Sequence, residues 1–175
     1  MLPAEPKTCC FTGHRKIEPP LLLPLTAHLD AALEALVQAG CLHFYAGGAM
    51  GFDTLAAERT LALRERFPAV QLHLLLPCRD QTRGWPPAEQ ERYGQILAAA
   101  NSYRYIGERY SAAAMTQRNL ALVEAADICV AFLLRASSGT GQTARAASRA
   151  GLTVINLADR LPDSLTNPQQ TRYFD

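Results

Sequence analysis

Four short stretches of this chain bring together groups that can hold an anionic ligand. Gly47-Gly48-Ala49-Met50-Gly51-Phe52-Asp53 is a glycine-rich turn between a short apolar run and a helix-like one. Glycine accepts positive φ and lets main chain approach a ligand, while the N-terminus of a following helix offers N–H groups and a favourable dipole to a phosphate. By itself, such a turn also serves as a plain strand-to-helix connection. His14 and Arg15 directly follow the first apolar run. The Arg15 guanidinium suits bidentate pairing with a phosphate, and His14 suits a hydrogen bond to the same group or proton transfer; a solvated surface loop is the alternative. Asp53 either meets a ribose hydroxyl or caps its helix. Ser138-Gly139-Thr140-Gly141 repeats the glycine logic, with Thr140 as hydroxyl donor. Arg118 and Asn119 sit in a helix of mostly apolar residues and Ala, where Arg118 can reach a phosphate and Asn119 can read a base or brace a turn. A solvated Arg and a packing Asn are the alternative.

Three further residues have chemistry of their own. Trp85, the single tryptophan, lies in a loop near two prolines and either stacks on a base or packs. Cys78 lies between Pro77 and Arg79, where an arginine would lower a thiol pKa, but no histidine partner adjoins it in sequence. Glu89 and Glu91 belong to a solvated helix face.

The positioning elements follow from apolar patterning. Lys7–Thr12, Leu42–Ala46, Val70–Leu76, Ser102–Ile106, Ile128–Leu134 and Leu152–Leu157 read as strands. Between them, Leu25, Leu29, Ala32, Leu33 and Leu36 form one helical stripe ending near Gly40, its start delayed by Pro19, Pro20 and Pro24. Thr54–Phe67, Ala88–Ala100, Ala112–Ala126 (N-capped by Ser111) and Thr143–Ala150 read as further helices. Alternating strands and helices, with strands apolar throughout, predict an α/β, Rossmann-like, doubly wound and mainly parallel sheet covered on both faces. Ligands of such sheets bind beyond the strand carboxyl ends, where the strand order reverses. His14-Arg15, Gly47–Asp53 and Ser138–Gln142 all fall at such ends.

Length and composition set the frame. The 175 residues suit a single domain over 1–157, with a polar, proline-bearing tail over 158–175 that orders in part. Apolar content of 49% with 19% charged is ordinary for a globular chain, and 17 Lys+Arg against 16 Asp+Glu leaves +1, so no global field favours nucleic acid or membrane. There is no uninterrupted run of about 18 apolar residues and no signal-peptide pattern, which places the chain in the cytoplasm as an expectation. Cys9, Cys10, Cys41, Cys78 and Cys129 show no CxxC spacing; they read as small buried hydrophobes, and no metal site is expected.

Two common nucleotide motifs are missing. A dinucleotide fingerprint needs G-x-G-x-x-G, whereas the turn here is G-G-x-x-G in the second unit and the next strand ends without an acid. A Walker P-loop needs a lysine, and Gly141-Gln142-Thr143 offers none. Taken in order, Thr12-Gly13-His14-Arg15, Gly47–Asp53, Gln81–Trp85, Met115-Thr116-Gln117-Arg118-Asn119 with Ala126-Asp127, and Ser138-Gly139-Thr140 with Ala146-Ala147 resemble the YpsA-like proteins of the SLOG superfamily, named for the Smf/DprA and LOG proteins. The likeness spans nearly the whole chain. It implies a Rossmann-like domain that binds a nucleotide or ADP-ribose-like ligand, as a sensor or regulatory domain and as a dimer. The site it implies comprises Thr12, Gly13, His14, Arg15, Gly47, Gly48, Met50, Gly51, Asp53, Arg118, Asn119, Ser138, Gly139, Thr140 and Gly141. LOG enzymes cleave nucleoside monophosphates with a P-G-G-x-G-T-x-x-E pattern; here Thr143 stands where that glutamate would be, so LOG-type hydrolysis is the alternative rather than the expectation. DprA-like binding of single-stranded nucleic acid is a further alternative, less favoured by the near-neutral charge.

Overall fold

The computed structural model describes residues 7–134 and 139–166, with the side chains of 139 and 140 left out. Six strands alternate with helices: β1 (Lys7–Gly13), α1 (Pro19–Gln38), β2 (Cys41–Ala46), α2 (Phe52–Leu63), β3 (Gln71–Leu76), α3 (Pro87–Ala99), β4 (Ser102–Tyr105), α4 (Ala112–Ala125), β5 (Ile128–Phe132), α5 (Gly139–Arg149) and β6 (Thr153–Asn156). A 3-10 turn (Leu157–Arg160) and a short α6 (Asp163–Thr166) follow. The strands form one sheet in the order β4-β3-β2-β1-β5-β6, and every neighbouring pair is parallel. The doubly wound Rossmann-like fold expected from the sequence is the fold observed.

Two unequal apolar layers explain the strand composition. On one face Phe11, Phe44, Leu72, Leu74 and Leu76 pack against Leu25, Leu29 and Leu33 of α1 and Phe52, Leu55 and Ala56 of α2. The opposite face is smaller: Cys10, Leu75 and Cys129 meet Leu122, Val123 and Ala126 beneath α4, and Ala147 of α5. Because helices cover both faces, β1 and β5 have no polar alternation. The larger layer is also pinned by two-pronged arginine–carboxylate pairs, Arg59 with Asp30 between α2 and α1 and Arg92 with Glu58 between α3 and α2.

Local boundaries correct the expectation at two places. Pro19 and Pro20 do not delay α1; they occupy its first positions, where a missing N–H costs nothing and the fixed φ suits the helix. Pro24 is carried within the second turn. Helix α1 has the length and mean hydropathy, 1.3, of a membrane span, but Leu21, Leu25, Leu29 and Leu33 are buried in the core of this domain. At the other end, Gly139, Thr140 and Gly141 are the opening of α5 and not a turn preceding it. Residues 158–166 continue the ordered fold, with Leu161 buried and Ala158 and Leu165 packed on the main core.

All five cysteines are buried free thiols, as expected. At Cys78, burial and then the neighbouring Asp80 push the thiol up rather than down as an adjacent arginine would, which agrees with the reading that disfavoured a nucleophile there.

Gly13 ends β1 under the ring of Phe52, and a Cβ there would overlap that ring. Phe52 is fully buried between Phe11 and Phe132, so it has no free space to retreat into. Gly13→Ala is expected to lower stability by about 1–3 kcal/mol, the usual cost of forcing extra volume into a packed core. Urea denaturation of the two proteins measures it; equal midpoints would contradict the packing described.

Candidate functional site

The strand order reverses between β1 and β5: the chain steps outward from β1 through β2 and β3 to β4, then crosses back by α4 to β5 on the other side. A cleft of about 530 Å³ opens at the carboxyl ends of the strands there. Thr12, Gly13, His14 and Arg15 come from the end of β1, Ala49 and Asp53 from the glycine turn and α2, Thr116, Arg118 and Asn119 from α4, and Gln142 and Thr143 from α5. The amino-terminal turns of α2, α4 and α5 thus border one space, and the partial positive charge of each favours an anion.

Arg118 determines how this cleft is built. It is 4% exposed, and its guanidinium donates to the carbonyl of Gly47 and, through Nε at 2.7 Å, to Oδ1 of Asn119. Gly47 has to be glycine for this approach, since a Cβ would come within 2.6 Å of Arg118 Nη1. The arginine read from the sequence as a phosphate ligand is therefore first a strut from α4 to the central turn. Asn119 braces that strut.

The rest of the turn is closed on itself. Ala49 N–H donates to Asp53 Oδ2 at 3.2 Å, the Thr54 hydroxyl donates to Ala49 O at 2.9 Å, and Phe52 N–H donates to His14 O at 3.0 Å. Gly51 caps α2 at φ 77°, a left-handed value, with its Cα against the Arg15 carbonyl. Asp53 is therefore neither a plain N-cap nor free: it lies in the first turn of α2 and holds the backbone of the turn. Its carboxyl is pushed above its ordinary value because burial outweighs the pull of Arg118, the Ala49 N–H and Arg15. Burial likewise lowers Arg118, against the attraction of Asp53. Both charges are held at a desolvation cost that their attraction does not offset.

Arg15 is exposed at the rim, so the cleft carries two guanidinium groups against Asp53, the one acid among its described lining residues. His14 sits edge-on to Phe132, and its Nε2 accepts the Leu134 N–H at 2.8 Å, which leaves the proton of the neutral ring on Nδ1.

Of the residues expected at a site, Thr12, Gly13, His14, Arg15, Asp53, Arg118 and Asn119 line this one cleft. Gly47, Gly48 and Gly51 are not among the residues that line it: Gly47 lies against Arg118, Gly48 against Leu76, Gln81 and Tyr93, and Gly51 against the Arg15 carbonyl, while Met50 faces an adjoining crevice with Gln81, Trp85 and Tyr110. Gly141 lines a separate shallow groove with Leu133 and Val154. Ser138 lies outside the described residues, and the side chain of Thr140 is not described. Thr116, Gln142 and Thr143 were not singled out as ligand residues. Helical spacing was the available signal, since Met115, Arg118 and Asn119 share one face of α4 and Thr116 borders it.

An all-parallel sheet with a cleft at its reversal point defines a Rossmann-like α/β protein. The chain belongs to the YspA SLOG family, whose YpsA family model matches residues 9–149. Among its relatives are a UPF0398 protein of Bacillus pumilus, 31% identical over 130 residues that cover 69% of this chain and 70% of that protein, and one of Bacillus licheniformis, 29% identical with 69% and 71% covered. Similar solved structures include DNA processing protein A from Helicobacter pylori, described in a single-stranded DNA binding mode (TM-score 0.61, 21% identity), and DNA processing protein A from Streptococcus pneumoniae (0.62, 15%). The similarity covers 85% and 94% of this chain but only 64% and 56% of those chains. The structure of TM1055 is also similar (TM-score 0.55, 17% identity), with 88% of this chain and 79% of that one covered.

The raised Asp53 gives a pH signature with a definite sign. Between the unfolded value of about 3.8 and the higher native value, the folded chain holds a proton that the unfolded chain has released. The stability this contributes is complete below the unfolded value and is lost as pH rises through the native one. Relative to Asp53→Asn, whose amide oxygen still accepts from Ala49, the wild type is expected to lose stability as pH rises across that interval. Urea denaturation of both proteins from acidic to neutral pH measures it, and parallel curves would refute it.

Proposed function

We propose that this chain binds a nucleotide or nucleotide-derived ligand, its phosphate and ribose held in the cleft between β1 and β5, and that it works as a sensor or regulatory domain. The excess of positive charge in the cleft carries the reading: two guanidinium groups and three helix amino-termini surround a space with a single carboxylate. A volume of about 530 Å³ is in the range of small-molecule sites. Arg15, exposed and at the rim, is the group available for bidentate pairing with a phosphate, because the guanidinium of Arg118 is committed to Gly47 and Asn119. The hydroxyls of Thr12 and Thr116 and the amide of Gln142 suit a ribose.

Binding is favoured over turnover by the acid inventory. Thr143, standing where LOG enzymes carry glutamate, does line the cleft, so that position belongs to the site but carries no carboxylate. Asp53 is tied to Ala49 and held toward its neutral form, which makes it a poor anion for a developing positive charge on a ribosyl carbon. Single-stranded DNA binding, described for the Helicobacter pylori protein, remains the second reading and rests on the shared fold.

Titration calorimetry with AMP and ADP-ribose tests the proposal. At least one is expected to bind, and Arg15→Ala is expected to weaken it about 10-fold or more, the scale of a lost charge-assisted hydrogen bond. Absence of heat with every nucleotide would overturn it.

A further inference from the structure

Beside the phosphate cleft lies a second polar feature that neither its phosphate chemistry nor the fold uses. Gln81, in the loop after β3, is 3% exposed, yet both its amide nitrogen and its amide oxygen lack a hydrogen-bond partner among the described residues. The only other buried side-chain polar atom in that condition among them is the Tyr93 hydroxyl. Both side chains converge behind the same glycine: a Cβ on Gly48 would lie 3.3 Å from Gln81 Oε1 and 3.4 Å from the Tyr93 ring. Leaving a buried amide unpaired costs about 1–3 kcal/mol, so a neutral packing role would be better served by an apolar side chain. Such a residue is retained where a partner arrives later.

The surroundings say what kind of partner. Gln81 borders a crevice of about 30 Å³, room for one small group, whose other walls include Met50, Trp85, Tyr110 and Met115. Arg15, Ala49 and Met115 line this crevice and the phosphate cleft alike, so the two adjoin. Outward, Gln81, Trp85 and Tyr110 also border a mouth of about 410 Å³. Trp85 is braced edge-on by Tyr93, with ring centroids 5.7 Å apart at 88°, and Tyr110 is half exposed. Aromatic and thioether walls suit a flat π-system, and the amide at the end supplies one donor beside one acceptor. That pair is complementary to the adenine edge, where an amino group adjoins a ring nitrogen.

We propose that Gln81, Trp85 and Tyr110 form a nucleobase subsite, in which the Gln81 amide reads a base edge of adjacent donor and acceptor, adenine being the fitting case. The proposal rests on the nucleotide reading of the main cleft, since Arg15 joins the two spaces. The base lies against Trp85, its exocyclic amino group enters the small crevice and meets Oε1, and Nε2 donates to the neighbouring ring nitrogen.

Because Trp85 is the single tryptophan, its fluorescence reports occupancy of this subsite alone. Three probes separate the parts: AMP, adenosine without the phosphate, and ribose 5-phosphate without the base. AMP is expected to bind about 10-fold or more tightly than ribose 5-phosphate, and AMP and adenosine, but not ribose 5-phosphate, are expected to change Trp85 emission. Gln81→Met should melt at or above the wild-type temperature while its AMP affinity falls to about that of ribose 5-phosphate. Gln81→Glu, which keeps an acceptor and loses the donor, gives the same readout if the first variant does not fold. Equal affinity for AMP and ribose 5-phosphate would overturn the base subsite and leave the phosphate reading standing. Heat from adenosine but none from ribose 5-phosphate would overturn the phosphate reading and keep the subsite. No response to AMP would overturn the subsite, and no response to ADP-ribose as well would overturn the phosphate reading with it. Unchanged AMP affinity in a destabilised Gln81→Met would show an amide satisfied by bound water only, and would also overturn the subsite.

Discussion

The site depends on one buried cation. Arg118 carries a charge into the interior, where it is costly, and returns it as a tie between α4 and the carbonyl of Gly47. Without that tie Gly47, the first residue of the glycine turn, would not have to lack a side chain to make room for Arg118, and the buried Asp53 would lose the opposite charge that most favours its ionised form. Hydrophobic packing could not substitute, because the core beneath α4 is small. The arginine thus sets the spacing between the two walls of the cleft.

Topology explains why this position needs such a device. In a doubly wound sheet the chain must cross from one half to the other, and here α4 makes that crossing from the edge strand β4 to the interior strand β5. The three helices on the opposite face are linked to one another by arginine–carboxylate forks as well as by the larger core. Among the described residues the crossing helix has neither, and its alignment with the sheet end draws on Arg118, the Ser111 cap and the few apolar contacts below it. The cleft between β1 and β5 lies where the two arrangements meet.

Much of the fold was legible in the sequence for simple reasons. Strands buried on both faces leave uninterrupted apolar runs, and Ser111 was readable as a cap because its side chain acts on the next turn, accepting from Ala114 N–H. What escaped was anything decided by a distant partner. Pro19 and Pro20 are compatible with either side of a helix start, and only the packing of Leu21 and Leu25 tells which. Arg118 could be read as a phosphate ligand because nothing local shows that the carbonyl of Gly47, far away in sequence, will accept from its guanidinium. The first residues of α5 looked like a loop because glycine is as acceptable at a helix start as in a turn. That Thr12, His14, Arg15 and Asp53 border one cleft was legible because strand carboxyl ends are the one place in this fold class where side chains near in space are also marked in sequence.

The five buried thiols described with the fold have a practical meaning. Cys9 and Cys10 lie in β1, Cys41 in β2, Cys78 just beyond β3 and Cys129 in β5, so four adjacent strands of the sheet each have a sulfur in or directly after them, and none of these side chains meets solvent. A thiolate forms, and reacts, only once its strand has been opened to water. The chain therefore carries a native set of chemical clocks: the rate at which each cysteine becomes available to a thiol reagent times the separation of its own strand from the rest, without any label having to be introduced.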